Sequence, residues 1–123
     1  MIIDFEKLPE VVLTNHFGGH GPMYNRTFLD EKNAITRGII PPGSTSGYHP
    51  HEDGCEILYV LKGELRFKYD DGEETVRAGQ VQYCPSGHSH QMFNDTDEDC
   101  EFFSCVINRK VVEKLETGTT REI

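Results

Sequence analysis

Three histidines and one glutamate follow a spacing that suits metal binding. His49 and His51 are separated by a single residue, Glu56 follows after a turn-forming stretch, and His90 begins a later segment. Residues two apart on a β-strand point to the same face, so His49 and His51 can present two imidazoles to one ion. Three imidazoles and a carboxylate suit Mn, Fe, Co, Ni or Zn better than Ca or Mg, which prefer oxygen ligands. A His-x-His pair alone is weak support, because most such pairs on strands are incidental.

The elements that must position these residues are short β-strands separated by Gly, Pro and Asp-Gly turns. In the hairpin Leu65 to Arg77, apolar and charged residues alternate before the turn, so one face is predicted to be buried. This density of strands predicts an all-β barrel or sandwich. Asn108 to Glu116 is the exception, with an Asn cap and apolar residues four apart that predict a short terminal helix. The predicted strands are Val11–Asn15, Tyr24–Leu29, Ala34–Ile40, Ser46–His51, Cys55–Leu61, Leu65–Tyr69, Thr75–Arg77, Val81–Cys84, His90–Asn94 and Glu101–Ile107.

Two longer patterns contain the four candidate ligands. Gly43-x5-His49-x-His51-x4-Glu56-x6-Gly63 resembles the first motif of the cupin superfamily, and Gly79-x5-Pro85-x-Gly87-x2-His90-x3-Asn94 resembles the second. The resemblance is to single-domain, metal-binding cupins. It implies a double-stranded β-helix, or jelly-roll barrel, to which the pattern of Asn108 to Glu116 adds a short C-terminal helix. Within one domain, residues 1–33 would form an N-terminal arm and the first strands, 34–109 the barrel core, and 110–123 a tail or short helix.

The resemblance also implies that His49, His51, Glu56 and His90 hold one divalent transition-metal ion. Four protein ligands on an ion that accepts six leave two positions for water or a substrate. Such an open site is typical of a catalytic metal rather than of a closed structural one.

The expected function is that of a metal-dependent enzyme acting on a small polar molecule, a carboxylate or a sugar derivative. Cupins with both motifs include isomerases, dioxygenases and decarboxylases, and the fold does not choose among them. Oxalate decarboxylases carry an Arg three residues before the first motif histidine, where this chain has Ser46, and this argues against oxalate turnover. The alternative is a non-catalytic small-molecule or metal-binding module that acts through a protein partner. It stays open because no general acid or base outside the ligand set can be named.

Several other residues have two interpretations each. Arg37 could hold an anionic substrate inside the barrel, because a guanidinium pairs with carboxylates, or could form a surface ion pair. Tyr48, Tyr83 and His88 border the motifs and could line a pocket. Cys55 adjoins Glu56 and is expected on the opposite face as a packing residue, unless a bulge turns its thiol inward. The segment His16–Gly21 resembles a Gly-Gly-x-Gly stretch of some single-domain cupins, and a flexible arm is expected there.

Charge and composition exclude several classes of partner. The 123 residues include 12 Lys and Arg against 21 Asp and Glu, for a net charge of -9, which opposes binding to nucleic acid. The start of the sequence lacks the pattern of a signal peptide and no segment is apolar enough to span a bilayer, so a cytoplasmic protein without membrane contact is expected. In that setting its four cysteines are expected to be free thiols.

The strand after Glu56 is apolar on both faces, as is the segment from Phe102 to Ile107. A solvated outer face would be polar, so these faces predict contact with a second subunit in a homodimer. A small-molecule ligand is the other expected partner.

Overall fold

The computed structural model describes residues 1–109, 111–114 and 120–122, and their regular structure consists almost entirely of β-strands. Short 3₁₀ turns at Phe5–Lys7 and His16–Gly18 lie on either side of the first strand. The strands are β1 (Glu10–Thr14), β2 (Pro22–Leu29), β3 (Ala34–Ile40), β4 (His49–His51), β5 (Cys55–Lys62), β6 (Glu64–Tyr69), β7 (Gly72–Arg77), β8 (Val81–Cys84), β9 (His88–Phe93), β10 (Cys100–Ile107), β11 (Val111–Lys114) and β12 (Thr120–Glu122).

Two antiparallel sheets make up the body of the molecule. The larger has the strand order β1-β2-β3-β10-β5-β8, and the smaller has the order β4-β9-β6-β7. Strands that are distant in sequence lie side by side, so β10 pairs with both β3 and β5. The predicted all-β architecture is confirmed, and each strand predicted from the sequence coincides with an observed strand to within a few residues.

The core lies between the two sheets and follows the alternation seen in the sequence. On β5 the inward residues Leu58 and Val60 are fully buried, while Tyr59 between them is exposed. On β6, Leu65 and Phe67 are buried in the same way. Apolar burial of this kind is the main force that holds the two sheets together. The core cluster consists of Met23, Ile40, Leu58, Val60, Leu65, Phe67, Val76, Met92, Cys100 and Phe102.

The helix predicted for Asn108 to Glu116 is wrong over Val111–Lys114. These residues form β11, which pairs antiparallel with β12. Asn108 has a left-handed backbone with φ 57°, whereas a residue that caps a helix start has extended backbone angles. Two adjacent β-branched residues, Val111 and Val112, favour a strand. Leu115 and Glu116 lie outside the described residues.

The first strands are continuous with the barrel. β2 pairs with β3 along its length, and Leu29 faces Ala34 across the predicted boundary between residues 33 and 34. The division into an arm, a core and a tail stays a prediction. Of the helices in the described ranges, none is long and apolar enough to cross a membrane.

Candidate metal centre

The four candidate ligands meet between the two sheets, at one end of the core. His49 and His51 lie on β4, and His90 on β9 is directly opposite His49 in the antiparallel pair. Glu56 is the first inward residue of β5, so the carboxylate comes from the other sheet. Side-chain alternation therefore explains why all four point to the same place. Each is buried, with exposed fractions between 0% for His90 and 8% for Glu56.

The chain crosses between the sheets through a tight turn at Glu52–Gly54. A Cβ at Gly54 would collide with the backbone carbonyls of Ile107 and Asn108. Glycine at this position thus lets β5 begin close enough to β10 for Glu56 to reach the histidines.

The donor atoms of the four residues converge. The Nε2 atom of His90 is 3.1 Å from Nε2 of His49 and 3.2 Å from Nε2 of His51. The Oε1 atom of Glu56 is 2.9 Å from Nε2 of His90 and 3.4 Å from Nε2 of His51. His49 and Glu56 stand further apart, with their nearest donor atoms more than 4.0 Å and at most 4.8 Å from each other.

The wide separation of His49 from Glu56 fits an octahedral donor set better than a tetrahedral one. Bonds of about 2.1 Å place adjacent octahedral ligands about 3.0 Å apart and opposite ligands about 4.2 Å apart, whereas tetrahedral ligands are all about 3.4 Å apart. His49 and Glu56 match an opposite pair, and His51 and His90 match adjacent ligands. An octahedral ion held in this way would have its two other positions adjacent to each other.

Hydrogen bonds orient two of the three imidazoles. The Nδ1 atom of His49 is 2.8 Å from the carbonyl oxygen of Gly47, and Nδ1 of His90 is 3.0 Å from Oε1 of Gln82. Each acceptor fixes a proton on Nδ1 and leaves the lone pair of Nε2 facing the centre, as in many metal sites. Nδ1 of His51 is buried and has no hydrogen-bond partner within residues 1–109.

Electrostatics favour the protonation states that bind a metal. Burial lowers the pKa of His49 to about 3, and the neighbouring charge of His90 acts in the same direction. Burial would raise the pKa of Glu56, but the adjacent imidazoles of His51 and His90 bring it well below its usual value. His49 is therefore neutral and Glu56 ionised at neutral pH.

The donor set fits a divalent cation. Glu56 is a buried carboxylate, and its neighbours in the cluster are histidines rather than lysine or arginine. A buried anion needs a compensating positive charge, which a divalent ion would provide. The arrangement brings together all four predicted ligands and can hold one such ion.

A loop from the N-terminal part of the chain covers this cluster. The ring of Phe17 stacks on that of His49, with centroids 4.2 Å apart and an angle of 17° between the planes. The ring of His16 lies edge-on to His49 at 6.4 Å. Residues 15–21, here called the cover loop, are thus packed against the barrel rather than forming the expected flexible arm.

The other residues proposed from the sequence lie away from the donor set. Arg37 is on the outer face of β3, where its Nη2 atom forms a 3.2 Å ion pair with Glu101. It alternates with the buried residues Thr36 and Gly38, so its side chain points away from the barrel interior, and the surface ion pair is the arrangement observed. Tyr48 precedes His49 and faces outward, with 49% of its surface exposed.

Tyr83 and His88 are also outside the cluster. Tyr83 is 53% exposed. His88 contacts a surface carboxylate, with its Nδ1 atom 2.6 Å from Oδ2 of Asp70, and its ring stacks on Tyr69. None of the possible pocket residues beside the motifs therefore reaches the donor atoms.

The cysteines are free and stand outside the donor set. Cys55 is half-buried and pairs with Ile107 on β10, while Glu56 beside it turns inward. The register at this point has no bulge that would turn the thiol toward the histidines. Burial raises the pKa of Cys84 to about 12 and the charge of Glu56 adds to the shift, so this thiol stays protonated.

Sequence reasoning missed the residues that support the ligands. Gln82 is fully buried on β8 and bonds His90, and the carbonyl of Gly47 bonds His49. A polar residue at an inward position of an apolar strand is a signal that could have revealed Gln82. No local pattern places His16 and Phe17 over His49, because that contact depends on the tertiary path of the cover loop.

Comparison with known proteins agrees with this geometry. The sequence profile of the family described as "Cupin domain" matches residues 36–106. The oxalate-binding protein of Thermotoga maritima is 32% identical over 114 residues, which cover 87% of this chain and 93% of that protein. The fold and the buried donor cluster are those of a cupin, and the chain belongs to the cupin family.

Solved structures give the same assignment. A protein from Thermotoga maritima described as a predicted oxalate decarboxylase superimposes with a TM-score of 0.81 and 31% identity, covering 88% of this chain and 99% of that one. An oxalate oxidase structure superimposes with a TM-score of 0.55 and 26% identity, covering 63% of this chain and 42% of that one. The cupin-type double-stranded β-helix is thereby confirmed.

Proposed function

We propose that the protein binds one divalent transition-metal ion through His49, His51, Glu56 and His90, and with it a small dicarboxylate of the oxalate class. The observation that carries this proposal is the separation of more than 4.0 Å between the donor atoms of His49 and Glu56, which fits opposite ligands of an octahedral ion. Such an ion would keep two adjacent positions that a ligand with two carboxylate oxygens a short distance apart can occupy.

The metal is proposed to be six-coordinate. Mn, Fe, Co and Ni accept this number of ligands readily, whereas structural zinc is almost always tetrahedral. The separation of more than 4.0 Å between the donor atoms of His49 and Glu56 supports the larger coordination number. Zn stays among the metals to be tested, because catalytic zinc sites can expand their coordination.

Two relatives support oxalate as the first ligand to test. One Thermotoga maritima protein is named for oxalate binding, and one is described as a predicted oxalate decarboxylase. Both cover most of this chain, including the two motifs. The bidentate geometry of oxalate matches the two adjacent positions of an octahedral ion.

The protein's residues would prepare the site before the ligand arrives. Gly47 and Gln82 hold two imidazoles in the tautomer that presents Nε2. Glu56 lowers the net charge of the centre, and the core around it excludes water. The ion, when bound, would supply Lewis-acid chemistry that polarises the carboxylate.

We propose ligand binding as the primary function and catalysis as the second. In residues 1–109, the contacts of the four ligands involve no lysine or arginine. Ser46 is fully buried, and its hydroxyl accepts a hydrogen bond from the amide of Met92, so it cannot act as the arginine of oxalate decarboxylases does. An enzyme of the decarboxylase or dioxygenase type stays the second proposal, supported by the two adjacent positions that an octahedral ion would keep.

Calorimetric titration with oxalate tests the binding proposal. Protein purified without chelators is first assayed for metal, then compared with the metal-free form. We expect one oxalate per metal-loaded chain and no binding by the metal-free form. Acetate, which offers a single carboxylate, should bind at least tenfold more weakly because it lacks the second attachment.

Equal binding by the two forms, or no binding by the loaded form, would contradict the proposal. The same loaded samples can be assayed for carbon dioxide, formate and hydrogen peroxide. Formation of any of these in proportion to oxalate consumed would establish an enzyme.

We also propose a homodimer that covers the outer face of β5 and β8. Exposed apolar residues collect there, and in register Tyr59 faces Val81 and Ile57 faces Tyr83. Val81 is 49% exposed and lies on the edge strand of the larger sheet. An apolar patch at an unpaired sheet edge favours contact with another protein surface, and symmetric dimers are the commonest assembly.

Light scattering at micromolar concentration should give twice the chain mass of 14.0 kDa. Tyr83→Lys introduces a charge into the patch and should shift the mass to that of one chain. Val12→Lys, at a 51% exposed site on β1, is the matched control and should stay dimeric. A single-chain mass for the unmodified protein would disprove the dimer.

A further inference from the structure

The cover loop is fixed to the segment that precedes the metal ligands. The amide of Gly47 donates to the carbonyl of His16 at 2.8 Å, and His20 and Thr45 exchange two backbone hydrogen bonds at 2.8 and 3.0 Å. A Cβ at Gly47 would collide with the carbonyl of Phe17, and one at Gly19 would collide with that of Thr45. The loop therefore lies against the barrel without space between them.

The backbone of the cover loop is strained. Asn15 and Phe17 both have left-handed angles, with φ 54° and φ 53°. Left-handed angles are uncommon for residues other than glycine, and strain of this kind concentrates at functional sites. The side chain of Asn15 offsets part of the strain by accepting a hydrogen bond from the amide of Gly21 at 3.0 Å. This backbone path places the rings of His16 and Phe17 over His49.

His16 lies beside the donor set, at the side of His49. Its ring centroid is 6.4 Å from that of His49 and 4.2 Å from that of Phe17, which stacks on the same imidazole. Among the described residues, His16 has no ring contact with His51 or His90. The cover loop therefore holds this imidazole at the His49 side of the donor cluster.

The imidazole of His16 is available to a ligand. It is half-buried, and within residues 1–109 its ring nitrogens make no hydrogen bond. Tyr48 and Arg37 face outward, so they cannot serve the same position. His16 is thus a polar side chain outside the ligand set that the fold brings close to the centre.

We propose that His16 donates a hydrogen bond to a carboxylate oxygen that the metal does not hold, and that the cover loop thereby selects small dicarboxylates. This inference rests on the proposed function. A bidentate oxalate keeps two oxygens free of the ion, and a nearby N–H can bond one of them. A hydrogen bond to a charged oxygen is stronger than one between neutral groups.

The test uses full-length protein loaded with Co²⁺, titrated with oxalate by calorimetry and with azide by visible absorption. His16→Ala should weaken oxalate binding at least tenfold, about 1.4 kcal/mol. His16→Gln keeps an N–H donor and should recover part of the loss. Co²⁺ affinity, measured by competition with a chromophoric chelator, should stay within twofold, since His16 is outside the donor set.

His20→Ala is the matched control, because His20 belongs to the same loop and its side chain is exposed. It should leave oxalate and azide binding unchanged. Unchanged oxalate affinity in His16→Ala, or an equal loss in His20→Ala, would overturn the assignment of His16.

Azide separates failure of this inference from failure of the proposed function. If the unmodified protein binds azide in a manner that depends on His16 but does not bind oxalate, the dicarboxylate proposal fails and His16 stays as a ligand contact. If it binds neither anion, there is no accessible position beside His16 and both proposals fail.

Discussion

Glu56→Gln should weaken metal binding at least tenfold, about 1.4 kcal/mol. The substitution keeps the size of the side chain but replaces an anionic oxygen with an amide, which is a much poorer donor to a divalent ion. The position is sensitive because Oε1 of Glu56 lies 2.9 Å from Nε2 of His90, inside the donor cluster. Competition with a chromophoric chelator measures the change directly.

Cys55→Ser is the matched control for this experiment. Cys55 adjoins Glu56 but pairs with Ile107 and faces away from the histidines. We expect unchanged metal occupancy, with at most a loss of packing energy. Equal metal loss in both variants, or loss in Cys55→Ser alone, would show that the register of β5 is different from the one described.

The metal-free protein should lose about 2 kcal/mol of folding free energy between pH 7 and pH 5 from His49 alone. Burial lowers the pKa of His49 from 6.5 to about 3, so the folded chain keeps this ring neutral in that interval. The unfolded chain takes up a proton as the pH falls below 6.5. Protons therefore favour unfolding, and stability rises with pH until it levels off above about 6.5.

Glu56 acts in the same direction at lower pH. The pKa of Glu56 is held well below the ordinary 4.5 in the folded protein. Its contribution to the free energy of unfolding is therefore present above pH 4.5 and is lost on further acidification. Urea unfolding of the metal-free protein at several pH values measures how the free energy of unfolding changes with pH through both groups.

His49→Gln should reduce the difference in unfolding free energy between pH 7 and pH 5 by the amount assigned to His49, because the variant has no imidazole to protonate at this position. His20→Gln, at an exposed position, should leave the difference unchanged. An identical pH dependence in the unmodified protein and in His49→Gln would contradict the burial of a neutral His49.

The strands and the ligand set could be predicted because their signals are local. Period-two alternation on β5 and β6 distinguished buried from exposed residues, and β3 and β8 have the predicted bounds. His49 and His51 share a face for the same reason. The second motif supplied His90, whose position opposite His49 then follows from antiparallel pairing.

The errors arose where tertiary contacts decide the outcome. The apolar spacing of Val111 and Leu115 fits a helix, but Val111–Lys114 pairs with a later strand. Arg37 has the chemistry to bind an anion, but its position in the alternation of β3 places it outside, against Glu101. The cover loop could not be predicted, because its place depends on backbone bonds to Thr45 and Gly47.

The stacking of Phe17 on His49 has a kinetic consequence. The four candidate metal ligands are at most 8% exposed, so the proposed dicarboxylate would have to displace the cover loop to reach an ion held by them. Opening breaks the ring stack and backbone hydrogen bonds before new contacts form, and this adds to the barrier for entry and exit alike. Association should then be slower than diffusion allows, and its rate should follow the opening of residues 15–21 rather than the charge of the ligand.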